Sequence, residues 1–254
     1  MKKVISLLLA LSMLCVGSAL AAEWQPGKPN EGVPEVDLTQ KLGYMMFSPN
    51  SVLTVDTACQ RLYVYLPRTD VEAGEGSLHV YGSAGEIWST PMASEAVTLR
   101  PMSADEMALF HWQDGVCFEI RLAISLPLNE GCHVTLDENC IVTSEGGIGN
   151  PAITGAQEWP VQVTGDYGVG GLQYLRDGEA VLAPAAGDTI RFDLTLGGDA
   201  VIASIYSTDA SVAFDLGAYE ASGEVTGQVV GDAPVWGVVF LDANGAQIGS
   251  VVFD

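Results

Sequence analysis

The sequence predicts an all-β protein of two β-sandwich domains, and three observations support this fold class. Short runs in which apolar and polar residues alternate recur at roughly 8–12-residue spacing, with turn residues between them, as in sandwiches. Helical periodicity is nearly absent, with one short candidate at residues 103–110. The length of 254 residues suits two domains of about 100–150 residues each.

Residues 1–21 are predicted to be a secretory signal peptide. Lys2 and Lys3 give a positive start, an apolar run follows, and Ala19-Leu20-Ala21 offers a small-x-small cleavage site. A retained membrane anchor is the alternative, but the run is short and contains Ser and Gly. No later stretch approaches the roughly 18–20 apolar residues that span a bilayer. We therefore expect a mature chain without a transmembrane segment, located outside the cell or at its surface.

The next segments are a predicted flexible leader at residues 22–43, which is rich in proline, and a first domain at residues 44–155. Alternation within that domain is clear where Leu62, Val64 and Leu66 share one face of a strand. The strand-like stretches are 51–66, 77–88, 95–100, 115–126 and 131–136.

A Gly- and Pro-rich stretch at residues 144–160 predicts the boundary to a second β-sandwich at residues 156–254. Asp177-Gly178 lies between two apolar runs, and this pair suits a hairpin turn that needs positive φ. The strand-like stretches are 172–182, 189–196, 200–206, 211–216 and a closing hairpin at 235–253.

The charge balance excludes one class of function. The chain has 10 Lys and Arg against 32 Asp and Glu, a formal net charge of −22, although only 17% of its residues are charged. It is acidic because it lacks bases, and no lysine follows Lys41. A nucleic-acid binder needs a basic surface to neutralise phosphates, so we expect no nucleic-acid partner. The same charge favours solubility and repels anionic membranes.

The cysteines of the mature chain are predicted to form two disulfides. An even number of cysteines in an exported protein favours this pairing, and the three possible connectivities stay open. Zinc is a competing interpretation, but no Cys-x-x-Cys pair is present. Free, buried thiols are the other alternative. The candidates are Cys59, Cys117, Cys132 and Cys140.

The first domain resembles the bacterial Ig-like domains of the S-layer-protein (SbsA) type over about residues 44–155. The motifs are Phe47-Ser48-Pro49-Asn50, the strand at 62–66, the stretch at 75–81 and the run at 126–155. Cys132 stands where an aromatic residue is usual, and Ser144-Glu145-Gly146 where Asp-x-Gly is usual. The resemblance implies a non-catalytic extracellular spacer or interaction module. It carries over no catalytic residue, and the second half resembles no family.

Catalytic patterns are absent from the sequence. It contains no Gly-x-Ser-x-Gly or His-Glu-x-x-His motif. His79 and His133 lie in strand-like runs, and His111 lies beside a turn. Acidic pairs arise by chance among 32 acids, so they do not predict a glycosidase. Asp242, Asn244 and Gly245 resemble the start of a calcium loop but lack its later ligands, and a hairpin turn explains them. We expect no enzyme, cofactor or metal site.

The sequence thus predicts a secreted, non-catalytic spacer or adhesion module that meets an unidentified extracellular protein, cell-wall or glycan partner. The alternative is a carbohydrate-binding second domain, with or without calcium, in which exposed rings stack on sugars. The rings considered are Trp159, Tyr167, Tyr174, Tyr206, Tyr219 and Trp236.

Overall fold

The structure, a computed structural model, describes residues 45–48, 52–54 and 60–253, and for residues 52–54 and Ala156 it describes the backbone alone. Strands dominate the described residues, so the prediction of an all-β fold is confirmed. The signal peptide predicted at 1–21, the leader predicted at 22–43 and Cys59 lie outside the described residues.

The first half of the described chain is built from short strands that alternate between two sheets. The strands are β1 (Met46–Ser48), β2 (Val52–Thr54), β3 (Arg61–Leu66), β4 (Val71–Ala73), β5 (Ser77–Gly82), β6 (Gly85–Pro91), β7 (Val97–Pro101), β8 (Val116–Arg121), β9 (Gly131–Leu136), β10 (Ile141–Thr143) and β11 (Trp159–Thr164). One sheet has the order β1-β3-β8-β7, the other has the order β2-β11-β9-β5-β6, and β4 pairs with β10 alone. Strands β2 and β11 run parallel.

The core of this first sandwich follows from the alternation predicted in the sequence. Leu62, Val64 and Leu66 of β3 point inward, and Val64 pairs directly with Phe118 of β8. The opposite sheet contributes Val134 and other inward residues of β5, β9 and β11. Burial of these side chains supplies the hydrophobic stabilisation of the fold, at roughly 25 cal/mol per Å² of apolar surface removed from water.

A short helix, α1 (Ala104–Phe110), joins β7 to β8 and begins at the only helical pattern in the sequence. Ser103 caps it, since its hydroxyl accepts from the amide of Glu106 while the Glu106 carboxylate accepts from the amide of Ser103. Arg100 donates two hydrogen bonds to the same carboxylate, at 2.8 and 2.7 Å. The helix packs Met107 and Phe110 against a small cluster that includes Tyr65 and lies outside the main core.

The second half forms another sandwich with its own core. Its strands are β12 (Gly168–Arg176), β13 (Glu179–Val181), β14 (Thr189–Thr195), β15 (Ile202–Ser207), β16 (Val212–Phe214), β17 (Ala218–Tyr219), β18 (Gly223–Val229), β19 (Trp236–Leu241) and β20 (Gln247–Phe253). The sheet orders are β13-β12-β14-β18-β16 and β17-β15-β19-β20. Trp236 is fully buried at the centre, and its indole N–H donates to the hydroxyl of Tyr174 on the facing sheet at 2.9 Å.

Both sandwiches have the strand order of immunoglobulin-like domains, in which strands A, B, E and D form one sheet and C, F and G the other. In the first sandwich the order β1-β3-β8-β7 is A-B-E-D, and β5, β9 and β11 are C, F and G. In the second, β12-β14-β18-β16 is A-B-E-D, and β15-β19-β20 is C-F-G. We call the second sheet of each sandwich its CFG sheet. The Ig-like prediction for the first half is thus supported by topology, and the second half follows the same order.

The predicted boundary after residue 155 stays a prediction, but one strand beyond it belongs to the first sandwich. β11 pairs with β9 and β2, and Val161 and Val163 are buried in the first core. The second core begins at Val169. The Gly- and Pro-rich sequence of 144–160 therefore marks the loop before the last strand of the first sandwich.

Candidate interaction surfaces

The two sandwiches are joined by backbone hydrogen bonds. The amide of Ser125, in the loop after β8, donates to the carbonyl of Leu172 in β12 at 2.8 Å, and the Leu172 amide donates back to the Ser125 hydroxyl at 2.8 Å. Ser125 is fully buried. Ile124 and Gln173 form an isolated antiparallel bridge beside this pair. A loop of the first sandwich therefore adds a short strand-like contact to β12 of the second.

A β-bulge in β12 makes this contact possible. The register with β14 shifts between Gly170 and Gln173, which releases Leu172 from the ladder. Gly171 has φ of 59°, a left-handed conformation that suits glycine. Gly170 is needed for a different reason, because a Cβ at this position would lie 2.6 Å from the backbone nitrogen of Leu128. The two glycines thus let the loop and the strand approach.

The linker between the sandwiches is held by the same loop. The side chain of Asn129 donates to the carbonyl of Gly165 at 2.8 Å and accepts from the Gly165 amide at 3.0 Å. The amide of Asn129 also donates to the carbonyl of Val163 in β11 at 2.7 Å. Asn129 therefore holds the end of the linker that follows β11, which favours one fixed orientation of the two sandwiches.

A groove of about 370 Å³ lies beside this junction, between β6 of the first sandwich and the β12–β13 hairpin of the second. Several polar groups that line it have hydrogen-bond partners. The hydroxyls of Thr90 and Ser94 are 2.7 Å apart, and Arg176 donates to the buried carboxylate of Asp188 at 2.7 Å. This arrangement stabilises the walls of the groove and assembles no catalytic set there.

The outer face of the CFG sheet of the first sandwich holds two of the three histidines. Tyr81 lies between His79 and His133, with ring centroids 6.1 and 5.1 Å away. His79 Nδ1 is 3.0 Å from Glu86, and His79 Nε2 is 3.3 Å from Asp137. Since both ring nitrogens face carboxylates, only the doubly protonated ring donates to both. This face is polar and carries several charges.

These groups do not form a hydrolytic triad. In a triad the serine hydroxyl contacts one histidine nitrogen and the acid contacts the other. Here the hydroxyl of Ser89 donates to Glu86 at 2.8 Å, and Asp137 takes the second histidine nitrogen. His111, the third histidine, ends α1 in a left-handed conformation at φ of 57°. Within the described residues, no group of three or more His, Cys, Asp or Glu side chains is placed to hold a metal ion.

The outer face of the CFG sheet of the second sandwich has a different character. Trp236, Val238 and Phe240 of β19 point into the core, so the alternate residues point outward. Tyr206 pairs with Gly237, which pairs with Val252 on β20. None of the outward residues is an acid or a base. They are Ile202, Ser204, Tyr206, Ala218, Gly237, Val239, Leu241, Gln247, Ser250 and Val252. We call this surface the uncharged face.

Two apolar or aromatic side chains of the uncharged face are exposed to solvent, on either side of β19. Val252 is 57% exposed and Tyr206 37% exposed. A Cβ on Gly237 would lie 2.7 Å from the Tyr206 hydroxyl, so the Tyr206 ring lies across this glycine. The outward residues Arg191, Asp193 and Glu224 of the facing sheet are charged and exposed, as is usual for a solvated sheet surface.

Carboxylates lie in the loops around the uncharged face. Asp209 follows β15, and its pKa is lowered by hydrogen bonds from Ser211. Asp242 follows β19, and the amides of Ala246 and Asn244 lower its pKa. Asp215 and Glu220 flank β17. No Lys, Arg or His follows Arg191, whereas nine Asp and Glu residues do. The surface around the face is therefore negatively charged.

The sequence reasoning did not find the uncharged face or the junction. The signal for the face was present, because the alternating strands at 200–206 and 235–253 have no charged residue at their outward positions. The signal for the junction was weaker, namely the pair Gly170-Gly171 at the start of a strand. Neither pattern states which strands become neighbours.

The aromatic residues considered for sugar stacking serve mainly as core. Trp236 is fully buried, Tyr174 is 9% exposed, and the Tyr167 hydroxyl donates to the carbonyl of Ile248. Tyr219 packs against the second core. Trp159 belongs to the first sandwich, where it stacks on Phe47 at 4.7 Å. Tyr206 alone is classed as exposed among the six. Trp159, Tyr167 and Tyr219 are half-buried, so only Trp236 and Tyr174 of the six rings are buried in a core.

The described cysteines are free thiols, which contradicts their prediction as disulfide partners. Cys117 points to the outer face of β8 under α1, whereas Cys132 and Cys140 lie in the first core. Burial raises the pKa of Cys117 and of Cys140 to about 12 and that of Cys132 to about 11. These side chains act as small apolar residues. Cys59, the fourth candidate, lies outside the described residues.

Asp242 forms a hairpin turn, as expected. Its carboxylate accepts from the amides of Asn244 and Ala246, each at 2.8 Å, and Gly245 has φ of 78°. In the part of the chain that the structure describes, no helix has the length and apolar content to cross a membrane.

Comparison with known proteins yields structural likeness only. No protein-family model matches the chain, and no curated protein matches it. Among solved structures, the D00-D0 domain of intimin is 12% identical, with 83% of this chain and all of that chain covered and a TM-score of 0.22. The adhesin InvE of Yersinia pseudotuberculosis is 9% identical, covers 83% of this chain and 58% of its own, and has a TM-score of 0.23. TM-scores this low do not establish a shared overall structure, so the Ig-like description rests on strand order.

Proposed function

We propose that this protein is a non-catalytic extracellular module of the bacterial cell surface, in which two Ig-like sandwiches form one stiff unit that positions a binding surface. Export by the signal peptide at 1–21, and a relation of the first sandwich to the S-layer type, belong to this proposal. The partner is an extracellular protein or a cell-wall component, and neither cofactor nor metal takes part.

The observation that carries this proposal is the junction. Inter-domain interfaces are commonly polar and leave domains free to move. Here two hydrogen bonds between Ser125 and Leu172, one of them to a fully buried side chain, continue the β12 strand into the first sandwich. Asn129 fixes the linker in addition. Such a connection transmits force and orientation between domains, which suits a spacer or adhesion element.

The arrangement of polar groups favours binding over catalysis. The His79 ring is held by two carboxylates, and Ser89 contacts the acid instead of the imidazole. In the groove beside the junction, Thr90 contacts Ser94 and Arg176 contacts Asp188. Two of the six rings, Trp236 and Tyr174, are buried in the second core, which reduces the stacking surface that the carbohydrate alternative needs.

Binding of the labelled protein to an array of extracellular matrix proteins, cell-wall fragments and glycans tests this function. We expect saturable binding to a protein or a cell-wall fragment, unchanged by a calcium chelator. A calcium-dependent glycan signal would favour the carbohydrate alternative. Silence across the array, or turnover of any component, would contradict the proposal.

A further inference from the structure

The uncharged face differs from the rest of this acidic protein in that it has no charged residue. An antiparallel sheet with one face in water normally alternates apolar residues inside with polar residues outside. The chain has a formal net charge of −22, yet none of the ten outward residues of β15, β17, β19 and β20 is charged. The facing sheet of the same sandwich does carry charges outward, at Arg191, Asp193 and Glu224. The lack of charge is therefore specific to one surface.

Its composition matches the centre of a protein interface. Interface centres are depleted in charged residues and enriched in tyrosine. Tyr206 lies flat across Gly237, beside Val252 on one side of the same cross-strand row. Val239, one row further along β19, is half-buried. The hydrogen-bonded ladder of β15, β19 and β20 holds these residues side by side.

The charge around the face selects the kind of partner. Asp209 and Asp242 keep low pKa values through their own hydrogen bonds, and Asp215 and Glu220 are exposed near β17. No base follows Arg191 in the sequence. A second copy of the chain would bring carboxylates against carboxylates, which costs binding energy and slows association. A partner with basic residues around its contact would be attracted instead.

The area of the uncharged face also favours a partner with basic residues. Four strands spaced at about 4.8 Å and three rows of outward residues give roughly 400 Å². A stable interface buries about 800 Å² on each partner. The apolar centre is therefore too small by itself, and the surrounding carboxylates have to take part in the contact.

We propose that the uncharged face of the second sandwich docks a basic protein, whose apolar side chains cover Tyr206, Val239 and Val252 while its Lys or Arg residues meet the surrounding carboxylates. This docking rests on the proposed function as a binding module and names the surface and the partner chemistry.

The direct test uses a synthetic helical peptide with a leucine stripe flanked by lysines. Two analogues test the two features separately. Glutamate replaces lysine in the first, which removes the positive charge, and serine replaces leucine in the second, which removes the apolar contact. Fluorescence anisotropy with the protein should show saturable binding of the first peptide, with each analogue at least about tenfold weaker, since each loses one of the two complementary features. If the serine analogue bound equally well, the positive charge of the peptide alone would explain its binding, and the proposal would be overturned.

Variants locate the contact. Val252→Asn should weaken binding of the leucine–lysine peptide about tenfold, because Val252 is the most exposed large apolar side chain of the uncharged face. Thr226→Asn, on the outer face of the facing sheet, is the matched control and should leave it unchanged. Asp215→Asn with Glu220→Gln should flatten the salt dependence of binding, and Glu224→Gln should not. Equal effects of the face and control variants would contradict the assignment.

Other occupants give distinct results. Sedimentation velocity that shows a dimer dissociated by Val252→Asn would make the face a self-association surface and overturn the proposal. Suppose that the peptide does not bind and that Val252→Asn leaves binding to the array intact. This result would refute docking at the uncharged face and leave the proposed function standing. A silent array would refute the proposed function, whatever the peptide does.

Discussion

The two sandwiches share one strand order but present different surfaces on corresponding sheets. In the first, the CFG sheet turns His79, Tyr81 and His133 outward, with carboxylates bonded to both nitrogens of His79. In the second, the same sheet turns only uncharged residues outward, including Tyr206 and Val252. The inward alternation that makes a sandwich leaves the outward positions free to vary. The fold therefore says little about function, and the difference between the two faces says more.

The cores differ as well. The first core is mainly aliphatic around Phe118, whereas the second groups Phe192, Phe214 and Phe253 around Trp236, with centroid distances of 5.6, 5.3 and 4.4 Å. Offset and tilted ring pairs stabilise beyond their buried area. The second sandwich thus depends strongly on one residue, and the first spreads its stability over many.

The largest expected effect comes from Trp236→Ala. The substitution leaves a cavity and removes the indole N–H that donates to the Tyr174 hydroxyl, so we expect a loss of about 3–5 kcal/mol in the free energy of unfolding. Hydrogen exchange should show the loss of protection in β12 to β20 first. Phe118→Ala is the counterpart in the first sandwich. Equal loss of protection in both sandwiches after Trp236→Ala would contradict the separation of the two cores.

Gly170→Ala tests the junction between the sandwiches. The added Cβ lies 2.6 Å from the Leu128 nitrogen, so the loop and β12 have to separate, at a cost of about 1–3 kcal/mol that urea unfolding would measure. Gly131→Ala is the matched control, because a Cβ there meets no atom within 4 Å. A cost for Gly131→Ala as large as that for Gly170→Ala would contradict the account of the junction.

Glu106→Gln tests the attachment of α1, which covers the outer face of the β1-β3-β8-β7 sheet. Hydrogen bonds from Arg100 lower the pKa of Glu106 to about 2, from an ordinary value of 4.5. A lowered folded-state pKa contributes stability that is present above the unfolded value and lost as pH falls through the folded value. We expect the free energy of unfolding of the wild type to exceed that of Glu106→Gln by about 1 kcal/mol at pH 7. This difference should shrink as the pH falls from 4.5 to 2.

Chemical denaturation across this pH range measures the difference. Asp105→Asn, on the same turn of α1, serves as the control and should cost only about 0.3–1 kcal/mol through the helix dipole. A difference between wild type and Glu106→Gln that stays constant down to pH 2 would contradict the role of the ion pair.

The smallest effect is expected from a reducing agent. Because Cys117, Cys132 and Cys140 are buried free thiols with raised pKa values, the peptides that contain them should keep the same masses before and after reduction. Maleimide should modify these residues only after denaturation. Rapid labelling of the native protein would contradict the burial of these thiols. A disulfide-linked pair of peptides among the three would support the disulfides predicted from the even number of cysteines.

The strands were predictable because alternation is a local pattern. The predicted runs at 51–66, 189–196 and 235–253 contain the strands β3, β14, β19 and β20, since each run fixes its own inward face. The short helix at 104–110 followed from Ser103 and Glu106, which lie three residues apart in a capping box.

Contacts between distant segments were not predictable in the same way. An even cysteine count predicts pairing only if the fold brings the thiols together, and Cys117 lies on the opposite side of its sheet from the core that holds Cys132. Trp236 was considered for sugar stacking, yet it lies in the second core with Phe192, Phe214 and Phe253 packed around it. The uncharged face depends on which strands become neighbours, and sequence spacing does not contain that information.

The central claim is that the junction between Ser125 and Leu172 holds the two Ig-like sandwiches in one orientation. Residual dipolar couplings of backbone amides in the two sandwiches, measured in one alignment medium, test it most directly. The account predicts that one alignment tensor fits the amides of both sandwiches in the wild type, and that Gly170→Ala requires two. Two different tensors in the wild type would show that the sandwiches move independently and would contradict the account.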